Sequence, residues 1–244
     1  MDLSADYKER TYRRLTAPEG LFTFETRVKE TDLFVAASRD LRQRALDAIL
    51  FHRRHLESYI ALHRDFLTSF TPVPFDPLAP EIARVMMKAA AAAGVGPMAS
   101  VAGAVAEFVG RDLRMEAEEV IVENGGDIYI DCRRGVTVGI FAGKSPLSGR
   151  VAIDIEPDRM PLGVCTSSAT VGPSVSFGKA DAVCILSPSA ALADAAASAV
   201  GNVVQSPRDV RGALGLAQGI KGVTGAVIVI GETLGVWGDV VLRQ

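Results

Sequence analysis

The sequence predicts an α+β fold built on a largely antiparallel sheet. Three observations lead there. Strand-like segments in the second half are joined mostly by short turns, the mark of hairpins rather than of βαβ crossovers. Segments with apolar residues at threes and fours alternate with them, as amphipathic helices require. At 244 residues the chain can bury a core without disulfide or metal staples.

Residues 1–15 read as a polar arm. Residues 20–37, rich in Phe, Val and Thr, alternate in part and predict a pair of strands. Ser38 then precedes one long amphipathic helix through residue 67, whose apolar positions include Leu41, Ala45, Ile49, Leu56 and Ile60. Four prolines in residues 71–80 mark a linker. The domain expectation is one unit over 1–244, in which 1–71 carry a hairpin and the long helix, and 81–244 a pocket-bearing core. A helix over 81–94 should stop at Gly94, and residues 96–113 form a second, rich in small residues. Glu118 to Cys132 reads as strand, tight turn, strand; 136–143 and 150–157 add two more. Residues 161–181 predict a long loop of Ser, Thr and Gly, and 182–187 a buried strand. Helices follow over 188–204, with Pro188 and Ser189 at its start, and over 207–219. A hairpin of 224–231 and 235–242 closes the chain.

Composition excludes several functions. Twenty-six basic residues against 29 acidic give a net charge of −3. No basic run tracks a nucleic-acid backbone, and Trp237 is the one tryptophan for base stacking. No stretch reaches the ~20 apolar residues of a membrane span. The charged first residues lack the apolar core of a secretory signal. Cys132, Cys165 and Cys184 show no CxxC spacing, which fits a reducing cytoplasm without disulfides or a zinc site.

Four stretches could carry chemistry. In Glu123-Asn124-Gly125-Gly126-Asp127, paired glycines would let a ligand approach bare backbone; the same residues would equally make an ordinary hairpin turn. Asp194 and Ser198 lie four apart on a helix, so they share a face, and their oxygens could ligate a hard cation; D-x-x-x-S is also common on exposed alanine-rich helices. Thr166-Ser167-Ser168, opening the hydroxyl-rich run to Ser174, could wrap a phosphate or form a plain surface loop. Gly96 to Ser100 opens a helix whose amides could meet an anion or take an ordinary cap. His52, His55 and His63 are the three histidines, and a solvated helix face accounts for them better than a metal. No histidine is near Cys165 in sequence, and no G-x-S-x-G motif supports a serine hydrolase at Ser167.

Taken in order, these segments resemble the ApbE-like superfamily of flavin transferases over roughly residues 85–204. Gly96 to Gly110 is similar to its glycine-rich helix, and Glu123–Asp127 to its Gly-Gly-Asp hairpin. Thr166-Ser167-Ser168 resembles its Ala-Thr-Ser-Gly segment. Ala193 to Ala199 resembles the helix whose Asp and Thr bind magnesium. The whole chain looks like an uncharacterised branch marked by GPMASVAGAVAE, VENGGDIYI, TSSATVGPSVSFGKADAV and ALADAAASAVGN. The resemblance implies a T-fold that binds FAD or FMN with Mg2+, and transfer of FMN to a protein hydroxyl. Asp194 and Ser198 would hold the metal; Asn124, Gly125, Gly126, Asp127, Thr166, Ser167 and Ser168 would line the nucleotide pocket. The chain also departs from the family. The interval 169–181 lacks the transferases' His-Ile-Ile-Asp-Pro-x-Thr-Gly loop, Pro97 to Ser100 lacks their lysine, and Pro173 stands where the branch usually has histidine. The alternative expectation is therefore a binding protein that has lost the transfer residues. The apolar positions of the long helix predict cover either from the sheet or from a second copy, and the second would make a homodimer.

Overall fold

The computed structural model describes residues 20–171 and 176–243. The arm at 1–15 and Pro173 lie outside them. Eight strands form the main sheet: β1 (Phe22–Val28), β2 (Thr31–Ala37), β3 (Val120–Asn124), β4 (Asp127–Asp131), β7 (Leu162–Ser167), β8 (Ala182–Ser187), β9 (Gly225–Ile230) and β10 (Thr233–Gly238). They stand side by side in that order, and every neighbouring pair is antiparallel. A smaller sheet orders β11 (Val241–Arg243), β6 (Ala152–Ile155) and β5 (Val136–Gly139). The α+β, largely antiparallel class stands.

The helices are α1 (Arg42–Leu62), α2 (Arg64–Thr68), α3 (Glu81–Ala93), α4 (Val101–Arg114), α5 (Ala190–Val203) and α6 (Val210–Gly219). They cover one face of the main sheet, and the small sheet lies against the other. Two apolar clusters result. Val35, Val122 and Ile185 meet the helices; Ile121, Ile130 and Cys184 meet Val138 and Ile153 of the small sheet. Alternation along each strand sends successive side chains into opposite clusters. Cys165 and Cys184 thus lie in different clusters, and all three cysteines are buried thiols.

Several boundaries differ from expectation. The long helix breaks at His63 (φ −128°, ψ 76°). Its ring stacks on Tyr59 with centroids 4.0 Å apart, and Nδ1 lies 3.0 Å from the Tyr59 carbonyl oxygen. Residues 96–113 begin with a 3₁₀ turn, Pro97–Ser100. The segment at 136–143 stays extended only to Gly139; 140–142 are irregular, and turns and a bend fill 143–150. The loop expected over 161–181 begins as β7, deep in the sheet. Its unusual composition has a packing cause: a Cβ on Gly163 would sit 2.3 Å from the Ala190 Cα, so only glycine lets α5 approach. Pro188 precedes α5, and Ser189 caps it by accepting from the Leu192 amide. The closing hairpin ends at Gly238 (φ +82°), and Val241 onward joins the second sheet instead. The proline-rich stretch 71–80 is irregular but anchored, since Tyr59 donates its hydroxyl to Asp76 and Ala79 is buried.

Candidate functional site

The β3–β4 connection is a two-residue turn in which Gly125 (φ +69°) and Gly126 (φ +106°) adopt the left-handed geometry that side chains resist. The Gly126 amide donates to Glu123 Oε1 at 2.8 Å. Asn124 donates through Nδ2 to the Ala102 carbonyl at 3.1 Å. Asn124 thus fastens the hairpin to α4. Asp127 begins β4 beside Cys165 of β7.

Asp194 and Ser198 come from α5 as the spacing required. Asp194 Oδ2 accepts from the Gly103 amide at 2.9 Å. The opening of α4 therefore meets an anion supplied by the protein itself, while Gly96, Met98 and Ala99 line the wide cavity described below. Gly103 permits the contact, because a Cβ would fall 2.3 Å from the Ala190 oxygen and 2.8 Å from the Asp194 Cβ. The reverse contact lies one turn away. Glu107 of α4 accepts from Ser189 Oγ (2.9 Å) and the Ala191 amide (3.2 Å) at the start of α5. Each helix thus supplies a carboxylate to the other's orphan N–H groups, where the helix dipole favours negative charge.

Two cavities meet at Asp127, Asp194 and Ser198. The narrow one, about 130 Å³, lies between the sheets. Phe34, Ile121 and Ile130 face Val138 and Phe141 across it, with Gly125, Gly126 and Thr166 to Ser168 at the polar end. The wide one, about 570 Å³, lies on the helix side against Met98 and Val101. Phe70 and Phe177 stand at it with ring centroids 5.6 Å apart in an edge-to-face pair, 69% and 58% exposed. Ser168 lines the narrow cavity, but its Oγ is engaged in accepting from the Thr170 and Val171 amides.

The charges are one-sided. The ionisable residues lining either cavity among the described residues are Glu123, Asp127 and Asp194; none is Lys, Arg or His. Burial pushes the Asp194 carboxyl up to about 7, against the lowering hydrogen bonds from Gly103 and Ala102. Burial, then the neighbouring Asp194 charge, holds Asp127 well above the usual carboxylate range. The carboxyl has hydrogen bonds from Cys165 and the Thr166 backbone, while its Oδ1 is buried without a hydrogen-bond partner among the described residues, a costly state for a carboxylate oxygen.

This donor set fits a hard cation. It offers two carboxylates and a hydroxyl, all oxygen, with one atom lacking a partner. Among the described residues no cluster of three or more His, Cys, Asp or Glu is arranged as a metal cage. Magnesium is usually held by one or two carboxylates plus phosphates and water, so a partial protein shell suits it.

Sequence reasoning placed Asp127 among the pocket-lining residues; the fold sets it at the junction of the two cavities, near Asp194. It missed Phe70, Phe177, Gly103 and Glu107; helical spacing puts Glu107 one turn beyond Gly103, but no local pattern links Phe70 to residues 100 positions later. The histidines are elsewhere. His52 Nε2 lies 2.9 Å from Asp112 Oδ2, His55 packs edge-on against Phe51, and His63 stacks on Tyr59. Ser167 consequently has no imidazole among the residues lining its cavity.

Residues 13–217 match the family described as AbpE bacteria. The UPF0280 protein MJ1526 of Methanocaldococcus jannaschii is 41% identical over 219 residues, covering 87% of this chain and 89% of its own. A UPF0280 protein of Methanococcus aeolicus is 42% identical over 201 residues, 80% and 81% of the two chains. Among solved structures, the apo flavinyl transferase ApbE of Pseudomonas stutzeri superposes with a TM-score of 0.57 at 13% identity, covering 89% of this chain and 94% of that one. The ApbE protein of Thermotoga maritima gives 0.53, also at 13% identity, over 88% and 96%. At such identities the likeness concerns the fold. No single helix among the described residues is long and apolar enough to cross a membrane. With the sequence profile, the relatives and the fold in agreement, this chain belongs to the AbpE bacteria family, within the ApbE-like superfamily.

Proposed function

We propose that the protein binds a flavin dinucleotide, FAD, together with Mg2+. One observation carries the reading: the partnerless Asp127 Oδ1 beside Asp194 and Ser198, where two cavities of different shape meet. A dinucleotide has two ring systems joined by a pyrophosphate, and this site has two apolar cavities joined by a cation-binding point. Asp127, Asp194 and Ser198 would hold Mg2+, whose charge offsets the phosphates at a site where none of the described lining residues is basic. A cavity of about 150 Å³ holds a benzene-sized group, so the narrow one suits a small ring. The wide one falls in the ordinary range for ligands of drug size. Thr166, Ser167 and the bare backbone of Gly125 and Gly126 would supply polar contacts beside the phosphates. Three buried thiols suit the reducing cytoplasm expected for the chain.

Binding is better supported than transfer. Moving FMN to a hydroxyl also needs a group to accept that hydroxyl's proton. Among the described residues the lining supplies Glu123 and the two carboxylates that would be committed to the cation. A binding protein without transferase activity is accordingly the second reading.

Calorimetric titration of FAD with Mg2+ and then with chelator tests the proposal, alongside the Asp194→Ala variant. Saturable binding that chelator abolishes and Asp194→Ala weakens at least about tenfold is expected, given the several kcal/mol a metal contributes to phosphate binding. Equal affinity with and without cation, or none in either condition, refutes it.

A further inference from the structure

We infer that Cys165 is a positioning residue of the cation-binding point: its thiol joins Asp127 of β4 to α5, the helix that carries Asp194 and Ser198, and so sets the spacing of the two carboxylates. The inference rests on the cation reading proposed above and names the residue that keeps its two halves in register. Those halves stand on separate elements, so a group between them must fix their distance, and Cys165 occupies that place. In the β4–β7 ladder it lies directly opposite Asp127. Side chains opposite one another leave the same face of a sheet, with Cβ atoms about 4.5–5.5 Å apart. That face is the one α5 covers, and Cys165 belongs to the apolar cluster there, wholly buried. Its Sγ donates to the Ala190 carbonyl at 3.3 Å and is also hydrogen-bonded to the Asp127 carboxyl. Ala190 is the first residue of α5, so by helical geometry its carbonyl accepts the Asp194 amide. A short chain of polar contacts therefore runs from Asp127 through Cys165 and Ala190 to Asp194.

The surroundings of that chain leave it little play. Gly163, two residues before Cys165 and on the same face of β7, meets Ala190 so closely that a Cβ would fall 2.3 Å from its Cα. Gly103 approaches from α4, where a Cβ would fall 2.3 Å from the Ala190 oxygen. The carbonyl that Cys165 addresses is thus held by packing on two sides, and the thiol carries that fixed position across to Asp127. The Asp127 carboxyl engages Cys165 and keeps one oxygen, Oδ1, buried without a partner among the described residues. This is the oxygen a cation would take. Sulfur suits the place, because a thiol behaves as a small hydrophobe with a weak S–H donor and fits an apolar layer. Its one proton is shared between two acceptors, so any movement of the Asp127 carboxyl toward a cation alters the S–H bond. Cys184 cannot stand in for it, since its side chain lies in the cluster on the other face of the sheet.

Mn2+, which takes the same oxygen ligands as Mg2+, tests this by paramagnetic resonance with no nucleotide present. Cys165→Ala and Cys165→Val remove the donor while emptying or filling its space. Each should weaken Mn2+ binding about ten- to a hundredfold, the usual cost of losing a group that holds a metal ligand. Cys165→Ser keeps a donor and should recover most of that loss. Binding retained by the Val variant would make Cys165 a space-filler and overturn the inference, as would a Ser variant that binds no better than Val. The S–H stretching band of the wild type reads the same contact without any change at Cys165. Cys132→Ser and Cys184→Ser assign that band by elimination, and it should move when Mn2+ is added. A band that stays in place while the cation binds overturns the inference. A wild type that binds no Mn2+ removes the cation-binding point and the inference with it. Mn2+ binding with the expected variant pattern but no uptake of FAD leaves the inference standing and refutes the flavin reading instead.

Discussion

Asp194 shows how one side chain can serve two masters. One carboxylate oxygen satisfies the start of α4, and the residue also borders both cavities. That double placement makes its ionisation matter to stability. Its folded value of about 7 is raised above the ordinary 3.8, and Asp127 is raised too. Between pH ~4 and ~7 the folded protein keeps a proton that the unfolded chain has released, so stability falls as pH rises across that window. A bound cation removes the disadvantage of the ionised form. Thermal melts at pH 5 and pH 8, with and without Mg2+, should show a larger Mg2+-induced rise at pH 8. An equal rise at both would mean the metal binds away from these carboxylates. Asp194 was legible from its four-residue spacing to Ser198. The placement of Asp127 near Asp194 was not, because a Gly-Gly-Asp turn does not reveal which helix lies against it.

At the level of elements, the pairing of α4 with α5 positions Asp194 and Ser198, two of the residues proposed to hold the cation. Gly103 and Gly163 are both needed for α5 to sit so close, one against a helix and the other against a strand. Gly103→Ala forces that contact apart and should cost roughly 1–3 kcal/mol by overpacking, while weakening Mg2+ binding. Glu107→Ala removes acceptors from the start of α5 and should cost about 1 kcal/mol, as lost N-caps do. Denaturant titration of the two variants checks both, and a change under a few tenths of a kcal/mol in either would show that the interlock contributes little. Amphipathic spacing revealed these helices in the sequence, and their small residues signalled close packing. The partner each faces was hidden, since Gly103 and Asp194 are 91 positions apart. The strand β7 escaped notice for a related reason: Gly163 and the following Thr-Ser pair resemble a loop until α5 is seen to need the room.

For the molecule as a whole, the two cavities lie on opposite sides of the main sheet's plane and meet at its carboxylate point. Fragments of the ligand therefore report on them separately. Phe70→Ala and Phe177→Ala should weaken FMN binding several-fold and leave ADP binding nearly unchanged, in line with the ~1–3 kcal/mol of ring stacking on an aromatic side chain. Fluorescence quenching of FMN and calorimetry with ADP would measure the two effects, and the reverse pattern would put the flavin between the sheets. The antiparallel order and most helices could be read from turns and periodicity. The layer arrangement could not, because nothing local says that 136–155 fold over the sheet while α1 to α6 take its other face.

The pairing of β2 with β3 carries a consequence for how the chain is made. Leu33 and Val35 lie fully buried against strand Val120–Asn124, yet the ribosome must deliver the whole of α1 to α4 before that strand appears. Until then the β1–β2 hairpin emerges with an apolar inner edge and no neighbour to close it. Nascent chains stalled before residue 120 should accordingly be sticky, chaperone-dependent species, and the arrival of the Asn-Gly-Gly turn should mark the moment at which the sheet first becomes self-sufficient.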